Sequence, residues 1–592
     1  MFEQRRIAQL MFPLKKNLGV LEFVVFGALA FLFAAAPAYN DNAEMQFTFF
    51  FATRLVASFA LLVVAYSLFL LGCCAAVKAN AGRSTSKKRI DVDRRPRSII
   101  FVALLMVACW VPYGICLYPG VSFFDTAFQL VQFFGDPSPG IFPMIEGASY
   151  TDHHPFFDTM LFGFFVKTGA DFFSANVGMF SYLVVQAVLT ALSFAYGIAY
   201  IRSVLGVPRC VCFVAIGFFA ICPIVPVFVF SMTKDSLFSW LYVLFFIQSI
   251  DIIRTRGKML MTRKGFITVL LVVVLLGLTK KTGVYVVLLS FAVFCFFAKG
   301  QWKKLLSAAL LPLLITAFAL PMLIFPVLNV SSGSKVEMLG FFYQQTARYV
   351  VDYPDDVTQD EQEAISEVLD YEHLAERYSP GITNPIKDVG TGANHWPSIS
   401  QIIDYAVCYV VEGLKHPDAY FNAIASLEAG WFDWSDVIKL PTEAGMPRSI
   451  LTGDPDIYRP ASVQVFADGL DDVLEFFADF FPTSLLLRMP FYAVVIPVFA
   501  TLFLRKEKSS LLPAMIPIWA SFLLLVVSPV SMVTNFEAQR YLLPFVYSAP
   551  LVLMLCFSRL GDGKDGRSVG VGVIEGCGCS GRTRRRAIFQ KD

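Results

Sequence analysis

Residues 266–297 read FITVLLVVVLLGLTKKTGVYVVLLSFAVFCFF, two apolar runs that are separated only by a short polar break at Lys280–Lys281. Runs of this composition predict membrane-spanning helices, because about 20 apolar residues cover the ~30 Å hydrocarbon core of a bilayer. Besides 265–279 and 283–298, similar runs lie near 19–36, 52–77, 99–117, 176–201, 210–230, 236–253, 305–329, 482–504, 511–529 and 541–557. We therefore expect an all-α polytopic membrane protein with about 12 transmembrane helices.

The overall composition agrees with this class. Of the 592 residues, 56% are hydrophobic and only 16% are charged, and 60 are phenylalanine, which excludes an ordinary soluble globular protein. The twelve cysteines mostly lie within or at the ends of apolar runs, which favours small buried side chains over a disulfide framework. The basic N-terminus precedes the run at 19–36 without a convincing cleavage site. We expect it to remain in the protein as a signal anchor.

The basic segments predict the orientation in the membrane. Clusters of Lys and Arg occur at 78–98, 254–264, 299–304, 505–508 and in the C-terminal tail. With twelve spans, all of them fall on one side, which the positive-inside rule assigns to the cytoplasm. Both termini of a cell-membrane protein would then be cytoplasmic. The segment 118–155, which has no Lys or Arg, would lie outside.

Five regions follow from this threading. The chain is predicted to comprise a two-helix extension with a basic cytoplasmic loop (1–98), a transmembrane core (99–329) with an outer loop (118–175), a mainly α extracytoplasmic domain (330–481), C-terminal transmembrane helices (482–557) and a basic cytoplasmic tail (558–592). Residues 155–169 are apolar but short, and they include Asp158. We expect them to form a helix at the outer membrane interface rather than a further span.

Several polar residues would meet at the outer membrane boundary. If 122–134 is helical, Asp125, Gln129 and Gln132 share one face. The candidates from the later segments are Asp152, His153, His154, Lys234, Asp235, Lys280, Lys281, Glu537, Arg540 and Tyr541. A single Lys or Arg at the end of a span commonly snorkels to the interface, the paired histidines can be structural, and Lys234–Asp235 can be a local ion pair. Because acids, imidazoles and cations from separate loops converge on one side, the pattern favours an acid/base site for an anionic, membrane-borne substrate.

Two segments resemble a known fold. The sequences YPGVSFFDTAFQLVQ (118–132) and YTDHHPFFDTMLFGFFV (150–166) resemble the first external loop of bacterial membrane proteins with the C-type glycosyltransferase (GT-C) fold. They are more closely similar to a Gram-positive family of unknown function. Weaker matches are TKDSLF (233–238), TKKTGVY (279–285), FFYQQTARYV (341–350) and AQRYLLPF (538–545), so the resemblance runs from about 110 to 557.

The resemblance implies a glycosyltransferase that uses a polyprenyl-phosphate sugar and acts on the outer face of the membrane. The acceptor would be a glycan, lipid or protein of the cell envelope. In such proteins an acid of the first external loop, here Asp125, activates the acceptor or helps to hold a divalent metal such as Mg or Mn. Many members have two adjacent acids, whereas Phe124 precedes Asp125 here. Asp152 and His153 would then complete a metal site.

The residues suit this chemistry on their own terms. Asp125 could act as general base, and His153 or His154 could orient the acceptor, bind a metal or hold the loop. The cations that could neutralise a phosphate leaving group are Lys234, Lys280, Lys281 and Arg540. The sequence has no nucleotide-sugar motif and no phosphate-binding glycine loop, so we expect neither a nucleotide cofactor nor a nucleic-acid partner.

Two alternatives use the same residues. A transporter or flippase for a lipid-linked envelope precursor would bind the phosphate with the same cations, but it should also have polar residues at mid-membrane depth and internal symmetry. A non-catalytic assembly protein could bind an envelope polymer through residues 330–481, since a fold does not fix an activity.

Overall fold

The computed structural model describes residues 18–81, 94–135, 148–333, 339–387, 397–443, 456–527 and 538–558. Helices account for nearly all of the regular structure of these residues. Two pairs of two-residue strands join loops that are distant in sequence. The described residues therefore fit an all-α polytopic protein.

The N-terminal half contains most of the long helices. In chain order, its elements are α1 (Val20–Asn42), α2 (Phe49–Ala81), α3 (Pro96–Cys116), β1 (Val121–Ser122), α4 (Phe124–Phe134), β2 (Tyr150–Thr151), α5 (Phe156–Phe172), α6 (Ala175–Leu205), α7 (Arg209–Ile221), α8 (Ile224–Val229), β3 (Ser231–Met232), α9 (Lys234–Thr255), α10 (Arg263–Thr279), α11 (Lys281–Phe297), α12 (Trp302–Leu314), α13 (Phe325–Leu328) and β4 (Val330–Ser331). Short 3-10 turns at Lys258–Met261 and Lys299–Gln301 join neighbouring helices, and a π-helix at Ile315–Ile324 joins α12 to α13.

The remaining elements form the domain that the sequence predicts to be extracytoplasmic, which we call the outer domain, and the last membrane helices. They are α14 (Gly340–Asp352), α15 (Gln359–Ser366), α16 (Tyr371–Arg377), α17 (Asn384–Lys387), α18 (Ile399–Lys415), α19 (Pro417–Glu428), α20 (Ala461–Asp479), α21 (Phe481–Ser484), α22 (Ile496–Glu507), α23 (Ile516–Val527) and α24 (Leu543–Cys556). The shorter pieces are 3-10 turns at Pro354–Asp356, Ala429–Trp431, Leu485–Leu487, Ser509–Met515 and Ala538–Leu542, and a π-helix at Phe491–Val495.

The number of spans is smaller than the sequence predicts. Among the described residues, eight helices are long and apolar enough to cross a membrane, or nine if the pair Phe481–Leu487 and Phe491–Glu507, bent by 65°, counts as one. The predicted span at 210–230 is divided by Cys222 and Pro223 into the short helices α7 and α8. The predicted count of about 12 is therefore wrong for the described chain.

The other two missing spans are α10 and α11. Each has only 17 residues, since the backbone is extended at Lys280 between them. A helix of this length measures about 25 Å, at the lower limit for a helix that crosses the ~30 Å hydrocarbon core. The apolar runs that open the sequence are therefore two short helices, and they pack against each other.

The centre of the bundle contains α9 and the last span. In the most apolar 18-residue stretch of each span, 78% of the residues are buried in Lys234–Thr255 and 89% in Gln539–Cys556, against 17% in Phe49–Ala76. The hydroxyls of two buried serines in α9 donate to backbone carbonyls one turn earlier in the same helix. Ser239, for example, donates to the carbonyl of Asp235 over 2.6 Å. The residues at the start of α9 are thus held by the best-packed part of the molecule.

The outer domain has a core of its own. Its buried cluster joins α14 to α19 and includes Tyr343, Tyr349, Leu374 and Tyr405. The region predicted as 330–481 is not uniform, however. Trp431 is packed against Phe522 and Phe545 of the membrane core, and α20 packs on α3.

Candidate functional site

Two neighbouring strand–helix units form the base of the site. The strands β1 and β3 pair in parallel, with Ser122 opposite Met232, and each is followed at once by a helix. Asp125 lies three residues after Ser122, and Asp235 lies three residues after Met232. The matching helix starts read FDTAF (124–128) and KDSLF (234–238). The two carboxylates therefore occupy equivalent positions side by side.

Local hydrogen bonds fix these helix starts. The hydroxyl of Thr126 donates to the carbonyl of Met232 over 2.5 Å, which ties α4 to the end of β3. The side chain of Thr233 caps α9 by accepting from the amide of Asp235. An acid in the first helical turn is stabilised by the partial positive charge of the helix N-terminus. Both acids are thus held where the fold itself favours a carboxylate.

Arg540 joins the two carboxylates. Its Nη2 atom lies 2.5 Å from Asp125 Oδ2, and its Nε atom lies 2.9 Å from Asp235 Oδ2. Lys234 Nζ is 2.7 Å from the same Oδ2 atom of Asp125, while Lys280 Nζ is 2.5 Å from Asp235 Oδ1. We call these five residues, Asp125, Lys234, Asp235, Lys280 and Arg540, the ion-pair network. It draws on α4, α9, the α10–α11 break and the turn before α24.

Aromatic rings line the cations of the network. Lys280 Nζ lies 4.2 Å from the ring centre of Tyr541, and the guanidinium of Arg540 lies 5.3 Å from that of Phe123. A cation over an aromatic face is stabilised by the ring quadrupole. Tyr541, predicted as a site residue, therefore contacts the network through its ring.

The Asp-His-His-Pro segment forms one wall of the site. The strand β2 pairs in parallel with β4, and the amide of Asp152 donates to the carbonyl of Ser331 over 2.9 Å. Lys281 Nζ is 3.0 Å from Asp152 Oδ2. Lys234 Nζ lies 3.1 Å from His154 Nδ1, which connects the wall to the ion-pair network. The ring centre of His153 is 4.8 Å from that of His154.

The environment separates the protonation states of these groups. Burial alone would raise the pKa of Asp125, but the charges of Arg540 and Lys234 outweigh it and hold the pKa well below its usual range. Burial, together with the charge of Lys234, holds the pKa of His154 well below its usual range. Its imidazole is therefore neutral, and Nδ1 must accept from Lys234 because an ammonium group only donates. Burial raises the pKa of Asp152, although Lys281 opposes the shift.

The two predicted glutamines lie on the predicted helix, but their side chains hydrogen-bond to other parts of the protein and not to the ion-pair network. The helix α4 does form, yet Gln129 donates to the hydroxyl of Thr159 over 3.2 Å, and Gln132 donates to the carbonyl of Thr151 over 3.0 Å. Both amides thus tie α4 to the Asp-His-His-Pro segment and to α5. Glu537, also predicted as a site residue, lies outside the described residues.

Asp158 is a further acid beside the site that the sequence did not single out as functional. It lies in the first turn of α5, has no exposed surface, and neither carboxylate oxygen has a hydrogen-bond partner within the described residues. Burial raises its pKa well above the usual value, against the opposing charge of Lys234. The available signal was an acid inside a 15-residue apolar segment, where an ionisable group usually has a function.

The residues named for a divalent metal do not form a ligand set. Within the described ranges, no three Asp, Glu, His or Cys side chains are grouped so that they could hold an ion. Asp125 faces Lys234 and Arg540, whereas Asp152 faces Lys281. Cations of the protein thus occupy the carboxylates that a metal would need.

An apolar cavity of about 170 Å³ adjoins the network between α5, α6, α9 and α10. Its lining includes Phe157 next to Asp158, Leu237 one turn after Lys234, and Thr279 next to Lys280. Asp158, Lys234 and Lys280 thus lie within three residues of positions that line the cavity, whereas the lining itself contains none of the five network residues.

The site lies at one end of the helix bundle. Arg540 is the second residue of the span Gln539–Cys556, which is about 27 Å long at 1.5 Å per residue. At the other end, Lys508 Nζ donates over 2.6 Å each to the carbonyls of Cys556 and Ser558. The basic segments around 254–264 and 505–508 follow α9 and α22 at that opposite end.

A family of unknown function (DUF6020) matches residues 141–569, and because this range covers more than half of the chain, the protein belongs to that family. The matched range includes the Asp-His-His-Pro segment, Lys234, Asp235, Lys280 and Arg540, but it begins after Asp125. No curated protein and no solved structure matches the chain. The expected membership of a family of unknown function is confirmed, while the resemblance to GT-C enzymes remains a prediction.

Proposed function

We propose that this family member is a membrane glycosyltransferase that moves a sugar from a polyprenyl-phosphate donor to a cell-envelope acceptor. One observation carries the proposal: four separate parts of the chain bring Lys234, Lys280 and Arg540 to Asp125 and Asp235 at one end of the bundle. The positive-inside rule predicts that this end is extracytoplasmic, because the basic segments lie at the other. The adjoining apolar cavity supports a substrate that carries a lipid.

The proposed reaction is a displacement at the anomeric carbon of the donor sugar. The acceptor oxygen forms a bond to that carbon, and the bond from carbon to the phosphate oxygen breaks, with its electron pair going to the leaving polyprenyl phosphate. Lys234 and Arg540 stabilise the charge that develops on the phosphate. The acceptor's proton passes to a carboxylate, with Asp125 as first candidate and Asp152 as second.

The contact between His154 and Lys234 also supports a role for this histidine. As a neutral imidazole that accepts from Lys234, it fixes the ammonium group between Asp125 and the Asp-His-His-Pro wall. A bound phosphate would then meet a cation whose position is already set, which lowers the reorganisation needed during reaction. His154 is therefore proposed as a positioning residue.

A transfer assay tests the proposal. Purified protein in liposomes is mixed with radiolabelled polyprenyl-phosphate sugars and an envelope extract, and the loss of donor and the labelled product are measured. Asp125→Asn should lower the rate about 10²–10⁴-fold, the usual contribution of a general base. Asp171→Asn is the matched control, because Asp171 forms an exposed pair with Lys167 on α5.

The alternatives give different results in the same preparation. If the donor crosses the bilayer of the liposomes while its sugar stays attached, the protein is a transporter and the proposal is wrong. If no donor of the tested sugars is consumed or moved, and an envelope polymer binds instead, the assembly role replaces it.

A further inference from the structure

Asp125 occupies the position between two cations that a bound phosphate would need. A single oxygen, Oδ2, lies 2.7 Å from Lys234 Nζ and 2.5 Å from Arg540 Nη2. Two cations converging on one oxygen is also how proteins hold a phosphate oxygen. In the described arrangement, the carboxylate of Asp125 thus fills the candidate phosphate site of the protein.

The second carboxylate of the network is held differently. Asp235 is 1% exposed and its two oxygens have separate partners, Lys280 Nζ on Oδ1 and Arg540 Nε on Oδ2. Asp125 is 18% exposed and is the more accessible partner of Arg540. Asp235 therefore holds Arg540 from the buried side, whereas Asp125 lies on the more exposed side, from which a ligand can approach.

The charges of the site favour one added anion. Its four cations are Lys234, Lys280, Lys281 and Arg540, and its three paired carboxylates are Asp125, Asp152 and Asp235. Buried Asp158 and His154 are neutral, because burial shifts each pKa towards the uncharged form. Among these described groups, one positive charge is in excess, which matches the single charge of a phosphodiester.

We infer that Asp125 is a displaceable internal counter-ion: the phosphate of the ligand takes over Lys234 and Arg540, and the released carboxylate becomes available to the acceptor. The inference rests on the proposed function for the identity of the phosphate ligand. It assigns a regulation to the same site, because a carboxylate held by two cations is a weak base and one released from them is a stronger base. The base is thereby activated only when the donor is bound.

Binding of methyl farnesyl phosphate, an isoprenoid phosphodiester that carries one negative charge and no sugar, tests this inference. The full-length protein in detergent is titrated by calorimetry, and Asp125→Asn is compared with the unsubstituted protein and with Asp171→Asn. The amide no longer competes for the two cations, so Asp125→Asn should bind about ten- to a hundredfold more tightly, a gain equivalent to one charge-assisted hydrogen bond. Asp171→Asn changes the net charge equally but leaves the network intact, and its affinity should stay within about twofold of the unsubstituted protein.

Unchanged or weaker binding by Asp125→Asn would overturn the inference, and so would an equal gain in Asp171→Asn, which would indicate only the general field. Asp125→Ser removes the same charge and is measured in parallel, so that a folding defect of one variant does not decide the outcome. Farnesol is the control ligand, and its binding should not respond to either change. Since this assay involves no transfer, it separates the two proposals. If Asp125→Asn binds more tightly while the unsubstituted protein transfers no sugar in the transfer assay, the displaceable counter-ion is supported and the proposed glycosyltransferase activity is contradicted.

Discussion

Gly333 packs directly against the backbone of Asp152. A Cβ atom at position 333 would lie 2.7 Å from the carbonyl oxygen of Asp152 and 2.7 Å from the Cα atom of His153. Both are backbone atoms, which cannot move aside like the end of a flexible side chain. The start of the outer domain therefore sets the position of the Asp-His-His-Pro wall through the β2–β4 pairing and this close approach.

Gly333→Ala should displace that wall. We expect a loss of about 1–3 kcal/mol in the free energy of unfolding, the usual effect of overpacking a tight contact. Transfer should fall with it, since the contacts of Asp152 with Lys281 and of His154 with Lys234 depend on the same segment. Thermal unfolding and the transfer assay measure the two effects.

Gly469→Ala is the matched control. It lies in the interior of α20, where an added Cβ would meet nothing within 4 Å. Alanine should therefore stabilise that helix by about 0.5–1 kcal/mol. Equal responses of the two variants would contradict the proposed contact between Gly333 and the wall.

Asp158→Asn should change how stability depends on pH. Because burial raises the pKa of Asp158, the folded protein binds a proton that the unfolded chain releases above its ordinary pKa of about 4. The stability that this group contributes is present below pH 4 and is lost as the pH rises towards the raised pKa, by up to about 1.4 kcal/mol per pH unit. The asparagine variant lacks this titration.

The difference in unfolding temperature between the two proteins measures this effect. From pH 5 upward, the unsubstituted protein should lose stability relative to Asp158→Asn. Parallel pH profiles would show that Asp158 is ionised in the folded protein, contrary to its unpartnered burial within the described residues.

The sequence predicted the class and most of the residues that the structure brings together in the candidate site, but not the contacts between them. Apolar runs fix helix positions because burial in a bilayer needs only composition and length. Charge asymmetry then placed Asp125, Lys234, Lys280 and Arg540 at one end, where the structure joins them. Two-residue strands carry no periodic pattern, so neither strand pair was predicted. The equivalence of FDTAF and KDSLF became recognisable only from the register of β1 against β3.

The errors have physical causes as well. The span count assumed that each apolar run is one straight helix of spanning length, whereas Pro223 and the extended Arg488 interrupt two of them. The two runs on either side of Lys280 form helices of only 17 residues each. The predicted helical face of α4 was correct in periodicity. Its glutamines hydrogen-bond to Thr159 and to Thr151 instead of to the ion-pair network, because the partners of a side chain depend on which element packs against it.

Labelling of single cysteines tests the orientation. Asp404→Cys, on the exposed face of α18, should react with an impermeant maleimide added to intact cells. Lys258→Cys, in the exposed turn after α9, should react only after the membrane is opened. The signal of the unsubstituted protein is the reference for its native cysteines. Reaction of Lys258→Cys from outside would invert the topology and move the site to the cytoplasmic face.

Arg540→Lys should be far from conservative. The guanidinium donates to Asp125 through Nη2, and its Nε lies 2.9 Å from Asp235 Oδ2, whereas lysine offers one ammonium nitrogen in place of these two separate nitrogen atoms. Loss of one charge-assisted contact should lower the kcat/KM of transfer about 10- to 100-fold. Asp235, which is almost fully buried, would lose one of the two cations that the described residues place beside its carboxylate, so the unfolding temperature should fall too. Arg505→Lys is the control, since Arg505 pairs with Glu22 at the opposite end of the bundle, 3.4 Å away and half exposed to solvent. If Arg540→Lys and Arg505→Lys transfer sugar equally well, the bridge between the two carboxylates has no part in the reaction.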